Sequence, residues 1–226
     1  MTDQDPSTGL RARLVAAGVQ LVTHEGVHAL TLREIARQAG VSHGAPRRYF
    51  STHVELLAAI ARRGFENLAA SLDLAGPDPA AAAGPAPAAD PAAARVRLDR
   101  LARGYLDFAA AQPGMFELMF RHDVLEGSGS DLRKTTLPLF ETLVRLVAEI
   151  RPAEARPAEV RPSGAADAGA PAAAHDPATV AAAFWANLHG LAQLRAWGSL
   201  GLVTGGGTVE PLLRAVLDAH LGPEPR

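Results

Sequence analysis

Residues 31–57 read TLREIARQAGVSHGAPRRYFSTHVELL, and their spacing decides the fold. Thr31 and Glu34 stand three apart, the capping-box arrangement that starts a helix. Leu32, Ile35, Ala36 and Ala39 follow at helical spacing and supply one buried face. Gly40 falls where that helix must end, because a positive φ costs glycine little. Val41 then fills the angle between two helices, and Ser42 is placed to cap the second. Along that second helix His43, Arg47, Arg48 and Tyr49 carry donors able to reach base edges or phosphates. Several local rules converge here on the sequence form of a DNA-reading helix-turn-helix.

Charge supports this only when its distribution is read. The 226 residues carry a formal net charge of −2, an unpromising sum for a DNA binder. Between Thr31 and Arg63, however, six arginines (33, 37, 47, 48, 62 and 63) face two glutamates (34 and 55). The basic charge is local. A chain 48% hydrophobic and 20% charged can bury a sizeable core, and its length suits two packed units. With no cysteine there can be no disulfide, thiolate metal site or cysteine nucleophile. The polar, acidic start MTDQDPSTG does not read as a signal peptide, and no uninterrupted apolar run is long enough to span a membrane. A cytoplasmic protein with no membrane partner is the expectation, nucleoid-associated when it holds DNA.

Outward from the motif, helical periodicity continues. A first helix is predicted near 9–24, with Leu10, Leu14, Ala17, Leu21 and Val22 on one side. Another follows over about 52–74, where Leu56, Leu57, Ile60, Phe65, Leu68 and Leu72 keep the spacing. Further helices are expected near 92–111, 114–122, 131–150, 177–199 and 207–221. The tracts 76–91 and 152–175 are rich in Ala, Pro and Gly and read as flexible. No stretch alternates with period two, so the fold class is all-α. The expected division is a helix-turn-helix domain over 1–51 and a helical ligand-binding and dimerisation domain over 52–226.

One pattern is a false friend. His24-Glu25-Gly26-Val27-His28 matches H-E-x-x-H, whose zinc chemistry needs both histidines on one helical face. Gly26 lies at the expected helix end and the next helix is capped at Thr31, so a turn is expected and no metal. No convergent set of acid, base and nucleophile is found either, so neither an enzyme nor a cofactor is expected.

The segment 31–57 with its flanks RLVAAGVQLVTHEGVHALT and YFSTHVELLAAI resembles the N-terminal domain of the TetR family of bacterial transcriptional regulators. The likeness covers residues 9–72. QPGMFELMF at 112–120 and FWANLHGL at 184–191 resemble the subgroup whose ligand domain carries Trp-x-x-x-His-Gly, and GAPRRYF is similar to that subgroup's recognition helix. The resemblance implies a homodimer on double-stranded operator DNA, with two recognition helices about 34–36 Å apart reading successive major grooves. It also implies a small-molecule effector.

Particular residues take particular roles in that reading. Thr31 caps its helix and meets phosphate, with Arg33 beside it. His43, Ala45 and Arg47 are the expected base readers, and Gly44 allows close backbone approach. Where the family commonly has an aromatic, this chain has Arg47, which suits guanine. Tyr49 is expected at a phosphate and Phe50 in the core. His53 stands where the family has a lysine; a phosphate contact there would weaken as pH rises through the imidazole titration. Phe116, Met119, Phe120, Phe140, Trp185 and His189 are the candidate effector pocket, an apolar one. Phe184, Leu188, Leu191, Leu194, Leu213 and Leu217 are the candidate dimer face on the last two helices. The expected function is a dimeric repressor released by a small hydrophobic effector; the alternative is a dimeric ligand-binding or adaptor protein that has lost sequence-specific DNA binding.

Overall fold

The computed structural model describes residues 6–72, 90–127, 132–151 and 175–223, and no strand occurs among them. Most of the tracts 76–91 and 152–175 lies outside the described residues. The helices are α1 (Pro6–Glu25), α2 (Leu32–Gln38), α3 (His53–Ser71), α4 (Pro91–Ala111), α5 (Pro113–Phe120), α6 (His122–Leu125), α7 (Arg133–Ile150), α8 (Pro177–Ala196), α9 (Ser199–Thr204) and α10 (Glu210–Leu221). The fold is all-α. The single helix expected over 177–199 ends at Ala196, because Gly198 takes φ +73° and starts the separate α9.

The described residues of Met1–Gly76 and Gly104–Leu139 form one compact unit, and those of Pro77–Arg103 and Phe140–Arg226 a second. These units are drawn differently from the expected division at 51/52, which would part α3 from α1. Leu56, Leu57, Ile60, Ala61, Phe65 and Leu68 make the buried face of α3, which packs on both α1 and α5. Burying each large aliphatic side chain there contributes about 1.5–3 kcal/mol. Leu14, Leu21 and Val22 of α1 complete that core.

Two close approaches depend on missing side chains. A Cβ at Gly64 would sit 2.6 Å from Met115 Sδ and 2.7 Å from Met119 Sδ, so glycine lets α5 lie hard against α3. At Gly114 a Cβ would run into the Val22 carbonyl oxygen and stand 3.0 Å from Gly26 Cα. Here the neighbour is backbone, which cannot turn aside.

In the second unit α8 and α10 pack together, burying Phe184, Leu188, Leu213 and Leu217. Asp176 caps α8 by accepting from the N–H groups of Ala178 (2.9 Å) and Thr179 (3.0 Å). The buried Arg95 donates to the Gly222 carbonyl at 2.7 Å and to Asp218 at 2.6 Å, satisfying the C-terminal end of α10. Arg103 donates to both Asp99 and Glu210, a bidentate arrangement that ties α4 to the start of α10.

Candidate nucleic-acid interface

Thr31 starts α2 as the spacing predicts: its hydroxyl accepts from the Glu34 N–H at 3.2 Å. The reciprocal half of the capping box does not form. Glu34 pairs instead with Arg37, whose guanidinium holds the Glu34 carboxyl below its ordinary range. Gly40 takes φ +68°, and the Val41 N–H donates to the Ala36 carbonyl at 3.0 Å, which closes the helix end.

Residues 42–50 differ from the expected second α-helix. A turn at His43 and Gly44 leads into one 3-10 turn, Pro46–Arg48. Glycine resists helix on entropic grounds and Pro46 has no N–H to give, so a longer helix is not supported here. Ser42 accepts from Ala45 through its backbone carbonyl (2.9 Å), and Ala45, not Ser42, is the capping residue. Buried Pro46 and Phe50 anchor the segment at both ends, while Ser42, His43, Gly44, Arg47 and Arg48 are exposed. Thr31 and Arg33 are exposed too; Ala45 and Tyr49 are half-buried. The expected DNA-contact residues therefore lie on α2 with its cap, on the 3-10 turn with the residues just before and after it, and, for His53, at the start of α3; both arginines of the 3-10 turn are at the surface.

His53 is engaged within the protein. Its Nε2 donates to the Leu30 carbonyl at 2.6 Å, joining the first turn of α3 to the residue before Thr31. Any phosphate contact is left to Nδ1. Removing this bond by His53→Ala is expected to lower the unfolding free energy by about 1 kcal/mol, read from urea denaturation.

Three contacts lie beyond the sequence reading of the site. Arg13 donates to the Ala39 carbonyl at 2.7 Å, capping α2 from α1. Arg11 places its guanidinium 4.7 Å from the centroid of the Phe50 ring. Their partners are too distant in sequence for any local pattern. The third had a local signal: Thr52 accepts from Glu55 N–H (3.0 Å) while Glu55 accepts from Ser51 N–H (2.8 Å), following from Thr-x-x-Glu at 52–55. His24 and His28 sit on different elements, α1 and the 3-10 turn Val27–Ala29, with Gly26 at φ +82° between them. They do not share a helical face.

The family profile described as "Bacterial regulatory proteins, tetR family" matches residues 14–60, the stretch holding the core of α1, α2 and both anchors of the 3-10 turn. A second, described as "Tetracyclin repressor-like, C-terminal domain", matches residues 98–220, more than half of the chain. The chain belongs to the TetR family. It is thereby a DNA-binding transcriptional regulator, and the exposed arginines of its helix-turn-helix are the chemistry that such a role requires. Among solved structures, a protein of unknown function from Rhodococcus sp. RHA1 is similar at 29% identity and TM-score 0.65, over 94% of this chain and 93% of that one. A TetR-like transcriptional regulator from Rhodococcus sp. RHA1 is similar at 18% identity and TM-score 0.57, over 96% of both chains. The multidrug binding protein EbrR, solved with imidazole, is similar at 22% identity and TM-score 0.54, over 99% of this chain and 98% of that one. No curated protein matches.

The six residues expected to line a TetR effector pocket fall into two groups. Phe116, Met119 and Phe120 lie in the first unit, where the Phe116 and Phe120 rings meet at a tilt, 4.9 Å between centroids, and Phe120 meets Phe65 edge-on at 5.5 Å. Phe140, Trp185 and His189 lie in the second, where the Trp185 and His189 rings are 5.8 Å apart. Burial lowers the His189 pKa, so its folded form resists protonation. Acidification below the free value of about 6.5 is expected to drain stability from the fold until the folded pKa is passed. Thermal melts from pH 7.5 to 5 check this, with His189→Gln giving the shallower dependence.

The expected dimer face also divides. Phe184, Leu188, Leu213 and Leu217 are buried in this chain's own core, because α8 and α10 press those faces together. Leu191 is half-buried and Leu194 is 40% exposed. The apolar surface lies instead on Trp185, Leu194 and Trp197, with Leu202 and Val203 of α9 more than four-fifths exposed.

Proposed function

We propose that this TetR-family chain is a homodimeric repressor that leaves its operator when a small hydrophobic effector binds its C-terminal part. The reading is non-enzymatic and cytoplasmic. The single observation that carries it is the pair of exposed arginines, Arg47 and Arg48, on a 3-10 turn anchored by buried Pro46 and Phe50. Support for a partner copy comes from the exposed apolar residues Trp185, Leu194, Trp197, Leu202 and Val203 on α8, α9 and the turn between them, apolar surface that a second copy would cover. Support for an effector comes from EbrR, a fold relative described as a multidrug binding protein. Release then requires the effector to favour the DNA-incompetent form by about 1–3 kcal/mol.

The test selects genomic fragments with the purified protein and titrates the best site against salt. A near-palindrome whose affinity falls steeply with salt, through counterion release from contacted phosphates, is the expected result. Sedimentation supplies the second arm: the parent chain is expected as a dimer, and Trp197→Glu with Leu202→Glu as a monomer that binds the operator far more weakly. A monomeric parent chain, or salt-insensitive binding, would sink the proposal.

A further inference from the structure

Beside the crossing of α1 and α3, where Gly18 admits Ile60, a groove of about 460 Å³ opens within the first unit. Val15, Ala16, Val19 and Ala59 give it an apolar floor. Arg11, Arg62 and Arg63 border it, against one carboxylate, Glu66, which is occupied by Arg63 at 2.9 Å. Arg62 differs from its neighbours: its Nε is buried, and no acceptor among the described residues lies within hydrogen-bond reach. A buried N–H without an acceptor is costly, and in the half-buried Arg62 the planar guanidinium fork would let Nε and an Nη pair with one carboxylate entering the groove.

We propose that this groove is a second ligand site, taking a small carboxylate with an apolar body. The charge balance favours an anion, and the guanidinium fork matches the two oxygens of a carboxylate. Inorganic phosphate would leave the floor of Val15, Ala16, Val19 and Ala59 wet, whereas an apolar body covers it. The volume falls in the range that holds small organic ligands, about 300–1,000 Å³. Nothing in this assignment draws on residues of the candidate effector pocket or on the exposed arginines of the 3-10 turn, so it stands apart from the repressor proposal.

The test titrates 1-naphthoate into the full chain while backbone amide resonances are followed, with neutral 1-naphthamide as its counterpart. Naphthoate is expected to shift the amides of Val15, Val19 and Ala59 and to bind at least about tenfold more tightly than the naphthamide. Arg62→Met should reduce naphthoate affinity by about tenfold or more. Ala16→Glu, at an exposed position, should abolish binding through bulk and like charge, and it decides the matter if Arg62→Met does not fold. Equal affinity for the two probes, shifts lying only outside α1 and α3, or unchanged binding in the folded variants would overturn the site.

Discussion

Gly114→Ala is expected to cost about 2–3 kcal/mol of unfolding free energy, and Gly114→Val to leave too little folded protein to measure. The cause is backbone meeting backbone. A Cβ at this position collides with the Val22 carbonyl oxygen near the end of α1 and presses on Gly26 Cα. Neither atom belongs to a side chain that could change rotamer, so α5 itself would have to lift from α1. That movement would also loosen Met115, Phe116 and Met119, all buried on the same short helix. Gly190→Ala is the control, because a Cβ there meets nothing within 4 Å and alanine is the better helix former inside α8. Urea denaturation of the two variants should therefore move in opposite directions. Equal midpoints would mean that α5 is free to shift, and the packing argument would fail.

Arg47→Ala is expected to lower operator affinity by about 1–3 kcal/mol, roughly a five- to 150-fold loss, and to erase discrimination at one base pair. Its guanidinium is exposed, and the 3-10 turn that carries it is held by buried neighbours on either side. The buried neighbours fix where this side chain leaves the backbone, which a base contact needs more than a phosphate contact does. Anisotropy titrations against the operator and its single-base variants separate the two. Selective loss at a guanine supports base reading; equal weakening on every sequence, with a shallower salt slope, would reassign Arg47 to the phosphate backbone.

The all-α fold was legible because its signals are local. Thr31, Gly40 and the spacing of Leu32, Ile35 and Ala36 each follow from a few neighbouring residues, and α2 forms where they place it. The recognition segment was legible in chemistry but not in geometry. Donor residues announce themselves, yet Gly44 and Pro46 shorten the expected helix to one 3-10 turn. Long-range partners were not legible at all. Nothing near Arg13 or His53 in sequence says that their hydrogen bonds go to Ala39 and Leu30. What covers an inward face was not legible either: periodicity shows that Leu188 and Leu213 are inward, but not that α8 and α10 of the same chain cover each other.

Arg13 and His53 together have a mechanical meaning. One grips the far end of α2 from α1, and the other grips its approach from α3, the bonded residues standing 26 and 23 positions apart in the chain. The first helix of the helix-turn-helix is thus pinned at both ends to longer helices, like a short beam set between two posts. Such a beam transmits a push but does not bend to absorb it. A push that reaches this unit must swing α2 as one piece with its posts, and substitutions that unpin either end would let α2 move on its own.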